Sequence, residues 1–294
     1  MKLIDSFLDY MRYEQNCSQH TIIAYGEDLS QFCRFVEDNC GEFDVTLIDS
    51  DIIRDWIMTL MGEKFTATSV NRKLSALRSL YKYLLRKGVV TTDPLRKIVG
   101  PKNKRPLPVF LKEKEMNELL DDVDYGEGFI GVRDHLIIEM FYMTGMRRAE
   151  LIGLRDVDID FSGQLIKVTG KRNKQRLIPF GKELEDSMKK YLAERKAISN
   201  QIDQSFFVDV KGGPLSSGQV YRIVQTNLSK VVTQKKRSPH VLRHTFATTM
   251  LNHDAQLGAV KELLGHSSLA TTQIYTHTTF EELKKTYKQA HPRA

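Results

Sequence analysis

Apolar residues recur at helical intervals through most of the first hundred positions. In TIIAYGEDLSQFCRFVED, Ile22, Tyr25, Leu29, Phe32 and Phe35 fall three to four apart, which predicts a helix with one buried stripe. TATSVNRKLSALRSLYKYLLRKG repeats the pattern more cleanly. Val70, Leu74, Leu77, Tyr81 and Leu84 form its stripe, and Gly88 supplies a C-terminal stop. The opposite side carries Asn71, Arg72, Ser75, Arg78, Ser79, Lys82 and Arg86, a face of cations and short polar groups with no acid on it. Such a face suits a DNA groove, where cations meet phosphates and small polar side chains permit close approach.

The pattern then breaks. GPKNKRPLPVF holds three prolines and three cations, Lys102, Lys104 and Arg105, and reads as an extended basic linker over 101–110. It divides a helical domain, 1–100, from a second, mostly helical domain, 111–294. Within the second, LIKV and RLIPF are short β-rich runs flanking a turn-prone TGKRNKQ, which predicts a small hairpin or three-stranded sheet. SPHVLRHTFATTML and LGAVKELLGH return to helix. The fold class expected is mainly α, in two domains, with a small antiparallel sheet in the second. The chain shows no internal repeat and no low-complexity segment.

Composition narrows the function. The 294 residues are 41% hydrophobic and 28% charged, the balance of a globular protein. No run approaches eighteen apolar residues, and MKLIDSFLDYMRYEQ lacks a signal-peptide core, so a cytoplasmic chain without a membrane span is expected. Cys17, Cys33 and Cys40 are odd in number and read as buried free thiols rather than a disulfide framework. The net charge of +7 is unevenly spread. Residues 1–55 hold 4 Lys/Arg against 12 Asp/Glu, while 56–105 hold 12 against 2. That asymmetry suggests a basic face turned to a polyanion.

Four segments concentrate chemistry: TGMRRAEL with Arg147 and Glu150, TGKRNKQR with Lys171, SPHVLRHTF with His240 and Arg243, and LLGHSSLATTQIYTH with His266 and Tyr275. Singly each has a plain explanation, such as Arg147 paired with Glu150 one helical turn on. Together they suit phosphate chemistry. Two guanidinium groups can fork onto the non-bridging oxygens of a phosphodiester and stabilise charge that builds there. His240 and Arg243 share a helix face at i, i+3. A tyrosine hydroxyl, with a reference pKa of about 10, needs such neighbours to act as a nucleophile. A lysine on a hairpin suits general acid catalysis at a leaving oxygen.

These motifs resemble the tyrosine recombinases of the phage-integrase class, and within them the cellular Xer type. The strings that carry the resemblance are TGMRRAELIGLRDVDID, VTGKRNKQRLIPFG, SPHVLRHTFATTML, VKELLGHSSLATTQIYTH and the terminal AHPRA, with TIIAYGEDLSQF and NRKLSALRSLYKYLLRKGVVTTDPL similar to the family's helical, SAM-like DNA-clamping domain. The resemblance implies a catalytic set of Arg147, Lys171, His240, Arg243, His266 and Tyr275, with Glu150 orienting the site. Asn71, Arg72, Ser75, Arg78, Lys82, Arg86, Lys102, Lys104 and Arg105 are the expected DNA contacts. It further implies a 3′-phosphotyrosyl intermediate and a four-way junction at a double-stranded recombination site. No metal or other cofactor is expected. The assembly implied is a homo- or hetero-tetramer, with a paralogue or a DNA-translocase regulator as further partners, acting to resolve chromosome dimers. FEELKKTYKQAHPRA is the candidate helix for docking on a neighbouring protomer. FATT, with Thr248 and Thr249, and Gly258 depart from the family's usual text outside the catalytic set.

Other readings stay open at this point. His240 and His244 lie at i, i+4 as in a zinc helix, but Val241 stands where the glutamate of such a motif belongs. A type IB topoisomerase, a mobile-element integrase and a non-catalytic DNA-binding protein are the remaining alternatives.

Overall fold

The computed structural model describes residues 2–103, 109–170, 173–198, 204–233, 236–265 and 277–294. Two compact units emerge, Met1–Pro106 and Leu107–Ala294.

The first unit contains α1 (Lys2–Tyr13), α2 (Gln19–Cys40), α3 (Ser50–Gly62) and α4 (Ala67–Arg86). Several boundaries have a local cause. Ser18, Asp49 and Thr66 accept backbone N–H bonds at the starts of α2, α3 and α4. Gly88, at φ +70°, ends α4 in the left-handed conformation that glycine adopts without a Cβ clash. The apolar stripes meet in one core in which Trp56, Phe32 and Tyr81 are fully buried. The Tyr81 hydroxyl donates to the Val45 carbonyl at 3.0 Å, so burial leaves no polar atom stranded there.

Two expectations need correction in this unit. The cationic face of α4 is free of acids only along its own helix. Asp28, buried on α2, accepts from Arg72 and, at 2.9 Å, from Lys73. Helix packing rather than sequence proximity brings that carboxylate across. The thiols are free, but Cys17 and Cys33 are only half-buried and Cys40 is exposed at the end of α2.

The second unit is built around α6 (Gly128–Thr144), reached through α5 (Glu113–Asn117) and one wide helical turn, Glu118–Asp122. Nine consecutive residues of α6, Leu136 to Thr144, are buried, which an all-round apolar helix requires of its neighbours. Those neighbours are α8 (Lys182–Lys196), α9 (Ser217–Val231) and α10 (Pro239–Asn252). The strands β1 (Ile159–Asp160), β2 (Leu165–Thr169) and β3 (Gln175–Pro179) form one antiparallel sheet in the order β1-β2-β3, with Ile166 opposite Ile178. Both isoleucines are fully buried. The remaining helices are α7 (Arg148–Ile152), α11 (Leu257–Leu264) and α12 (His277–Ala290). Among the described residues no helix is long and apolar enough to cross a membrane.

In this single chain α12 lies against its own α10 and α11, burying Leu283, Tyr287 and Ala290 with Phe246, Met250, Leu263 and Leu264. The segment FEELKKTYKQAHPRA, the candidate for docking on a neighbouring protomer, thus has apolar residues covered by its own chain. Beyond α12, His291 stacks between Tyr287 and Phe246 at ring separations of 5.5 and 5.7 Å, and Arg293 pairs with Asp121 and Glu183.

Glu139 on α6 is 1% exposed. Burial, with Glu183 and Asp121 adding repulsion and the Ser187 hydroxyl and Arg293 opposing, raises its carboxyl from 4.5 to about 7. For an acid raised on folding, the penalty is small below the unfolded value, grows between the two and is complete above the folded one. Glu139→Gln is therefore expected to stabilise the second unit by on the order of 2 kcal/mol at pH 8 and by under about 1 kcal/mol at pH 5. Amide-exchange protection of α6, compared with wild type at each pH, reads the difference. Equal protection in the two proteins at pH 8 would contradict it.

Candidate active site

Three helix ends and one strand converge on the C-terminus of α11. The chain leaves α6 at Gly145, at φ +58°, where a Cβ would meet Phe246 at 2.4 Å, so both the turn and the close packing demand glycine. That turn delivers Arg147 to the N-cap of α7. Glu150, at the third position of the helix, accepts from the Arg147 backbone N–H at 2.7 Å and from its Nη1 at 2.8 Å. Glu150 thus caps the helix and holds the guanidinium at once.

Arg176 reaches the same carboxylate from β3. Its Nη1 and Nη2 donate to Glu150 Oε1 and Oε2 at 2.7 and 2.9 Å, a fork matched to a carboxylate. Burial penalises the Glu150 charge, but the bond and charge of Arg176, then the backbone and side-chain bonds of Arg147, hold its carboxyl below the ordinary value. Arg243 arrives from α10, which starts at Pro239 in a position that favours proline.

The last carbonyls of α11 lack helical partners and are taken by the three arginines in turn. Arg176 Nε donates to Leu263 O at 2.7 Å, Arg243 Nη2 to Leu264 O at 2.6 Å and Arg147 Nη2 to Gly265 O at 2.9 Å. Arg243 Nη1 also donates to Gly145 O. Cations at a helix C-terminus are favoured by its dipole. Gly265, at φ +62°, ends α11, and a Cβ there would come within 3.1 Å of the Arg176 side chain.

The charge does not balance. Among the described residues, Arg147 and Arg176 share the Glu150 carboxylate, while Arg243 beside them bonds only backbone carbonyls. Burial, then the charges of Arg147 and Arg176, push Arg243 down to about 10. His240, exposed on α10, is likewise shifted down by partial desolvation, then by Arg148, Arg243, His244 and Lys236. The arrangement can receive an anion and stabilise charge growing on it.

Known proteins resemble this chain over nearly its whole length. Residues 109–282 match the phage integrase family, and residues 4–88 match the phage integrase N-terminal SAM-like domain. The tyrosine recombinase XerC of Listeria innocua is 41% identical over 293 residues, covering 98% of this chain and 97% of that protein. The chain belongs to the phage integrase family. XerC of Pelotomaculum thermopropionicum is 36% identical over 99% of the chain and 98% of its own length. In fold, the chain resembles the XerH site-specific recombinase, with a TM-score of 0.74, 23% identity and coverage of 96% and 83% of the two chains. This protein is a site-specific tyrosine recombinase of the Xer type, with the helical N-terminal and mixed C-terminal domains of that family.

Of the residues singled out in the recombinase sequence, the structure brings Arg147, Glu150 and Arg243 together, with His240 at the exposed start of α10. Lys171, His266 and Tyr275 lie outside the described residues, as do Lys104 and Arg105. On α4, Ser75, Lys82 and Arg86 are exposed, as is Lys102 beyond it. Several of these polar groups are also engaged within their own unit. Asn71 donates to Pro101 O at 2.8 Å, Arg78 to Ile98 O at 2.9 Å, Arg72 to Asp28 and Arg86 to the Tyr10 hydroxyl.

Arg176 escaped the sequence reading. The available signal was the two-residue period of a strand: Arg176 shares the inward face of β3 with buried Ile178, and an inward arginine requires a partner.

Proposed function

We propose that this recombinase exchanges DNA strands at a defined duplex site through Tyr275, with Arg147, Arg243, His240, His266 and Lys171 as its catalytic groups. The observation that carries the reading is the charge surplus at the end of α11, with three guanidiniums to one carboxylate among the described residues, at the point from which the chain runs on to His266 and Tyr275. A phosphodiester supplies the missing anion. Arg147 and Arg243 keep unused N–H bonds beside those given to backbone carbonyls, since each guanidinium has five.

The Tyr275 oxygen attacks phosphorus and the bond to the 5′ oxygen breaks. Lys171 protonates the departing oxygen, and an imidazole, His240 or His266, takes up the proton that the phenol loses. The product is a 3′-phosphotyrosyl ester and a free 5′ hydroxyl. A 5′ hydroxyl from a second duplex attacks that ester, expels the phenol and restores a phosphodiester. One ester replaces another at each step, so the exchange has no need of a nucleotide energy source.

The curated relatives at 36–41% identity are named XerC, and the XerH structure holds a palindromic difH substrate after cleavage. The XerC relatives support site-specific crossover between duplexes; joined chromosomes as the substrate and a DNA-bound tetramer as the assembly are part of the proposal. The α4 face, with Ser75, Lys82 and Arg86, and the basic stretch with Lys102, Lys104 and Arg105 are the proposed backbone contacts.

The test starts from the DNA fragment recovered covalently attached to the protein in cells. Placed on two differently labelled duplexes and incubated without nucleotide or divalent metal, it is expected to give joint molecules carrying both labels. Removal of supercoils without joint molecules would contradict the assignment and favour a relaxing enzyme.

A further inference from the structure

The charged side chain of Arg176 is 8% exposed, and it lies more than twenty residues along the chain from every proposed catalytic group except Lys171. Its three N–H bonds go to two places at once. The fork grips both oxygens of Glu150 at 2.7 and 2.9 Å, and Nε grips Leu263 O at 2.7 Å. Glu150 in turn holds Arg147 by backbone and side chain. We infer that Arg176 is a positioning residue for strand cleavage, one that fixes the Arg147 guanidinium by clamping Glu150 against the end of α11.

The chemistry of the bonds explains why a positioning residue is needed here. Glu150 has only two oxygens, and without Arg176 it keeps its two bonds to Arg147 but loses its tie to Leu263 at the end of α11, which gives the Glu150–Arg147 pair more freedom to shift. Burial on all sides would then leave Glu150 with a single cationic partner. Arg176 removes that freedom because its planar fork engages both oxygens while Nε is tied to a fixed helix end. A lysine carries the charge but cannot make three directed bonds to two partners in that plane. Arg176 has no need to touch the DNA. It acts through Glu150 on the arginine proposed to do so, and the inference rests on that reading of Arg147.

The experiment measures single-turnover cleavage of a nicked duplex from which the cut strand is lost, together with duplex affinity, for wild type, Arg176→Met, Arg176→Lys, Arg147→Ala and the double variant Arg147→Ala/Arg176→Met. Arg176→Met is expected to cleave about 10–100-fold more slowly, the size typical of outer partners that orient an active group, with affinity unchanged. Arg176→Lys falls between it and wild type. The double variant cleaves no more slowly than Arg147→Ala alone, because one residue works through the other. A second readout separates positioning from loss of structure. On a duplex with a neutral methylphosphonate at the scissile position, less charge awaits the guanidinium, so the deficits of Arg147→Ala and Arg176→Met shrink in parallel.

Additive losses in the double variant would overturn the inference, as would an Arg176→Met deficit that is as large on the methylphosphonate as on the phosphate. If Arg176→Met does not fold, Arg176→Lys answers the same comparisons. If wild type cleaves and Arg147→Ala is impaired while both Arg176 variants are normal, only this inference fails. If Arg147→Ala cleaves like wild type, the reading of the site itself fails.

Discussion

Tyr275→Phe is expected to abolish covalent attachment to DNA while leaving duplex affinity within about twofold of wild type, since the change removes one hydroxyl and no charge. The ring volume and hydrophobic character are kept, so the variant isolates the oxygen. A phenol is a weak nucleophile near neutral pH because its reference pKa is about 10, and it works only beside groups that favour the phenolate or neutralise the phosphate. The end of α11 supplies those groups. From Gly265, whose carbonyl is held by Arg147, ten residues lead to Tyr275. At about 3.3–3.6 Å per extended residue they span up to roughly 33–36 Å. That reach is compatible with the site of its own chain or of an adjoining protomer. Band-shift affinity and denaturing-gel adducts on one nicked substrate give the two readouts. Adduct formation by Tyr275→Phe would name a different nucleophile.

Arg243→Ala is expected to lose both chemistry and part of the fold. Removal of one preorganised donor to a developing oxyanion typically costs about 10²–10³ in rate, and Arg243 presents a fork rather than a single donor. The same side chain is 8% exposed and donates to Leu264 O and Gly145 O. Truncation leaves both carbonyls without that donor, at about 1–3 kcal/mol for each one left unsatisfied in a buried place. Arg243→Lys should retain more stability than Arg243→Ala but little of the rate, because an ammonium group cannot bridge two carbonyls and a phosphate together. Cleavage rate and thermal midpoint, measured on both variants, separate the two losses. An Arg243→Lys enzyme that cleaves at the wild-type rate would contradict the role given to the fork.

Legibility in the sequence followed the range of the interactions. The α4 stripe, its Gly88 stop and the caps at Ser18, Asp49 and Thr66 are decided within a turn of helix, and the periodicity of the stripe was readable directly. Arg147 with Glu150 is also local, three residues apart. The β2–β3 hairpin announced itself through two β-rich runs around a turn, while the short third strand, β1, was one of two readings the sequence left open. What stayed hidden depends on pairs far apart in the chain. Arg176 meets Glu150 across 26 residues, and Arg147 meets Gly265 across 118. Asp28 turns the seemingly acid-free face of α4 into a partly neutralised one across 44 residues. The helix α6 gave no amphipathic signal because it is buried nearly all round. The catalytic assignments drew on resemblance as much as on residues, since neither spacing nor composition links His240 to Tyr275.

The most direct measurement is the identity of the DNA-linked residue. Wild-type protein reacted with a nicked substrate, digested with protease and nuclease and read by mass spectrometry should yield one modified peptide. The account predicts a deoxynucleotide joined through its 3′ phosphate to Tyr275. A link to any other side chain, or through a 5′ phosphate, would contradict it.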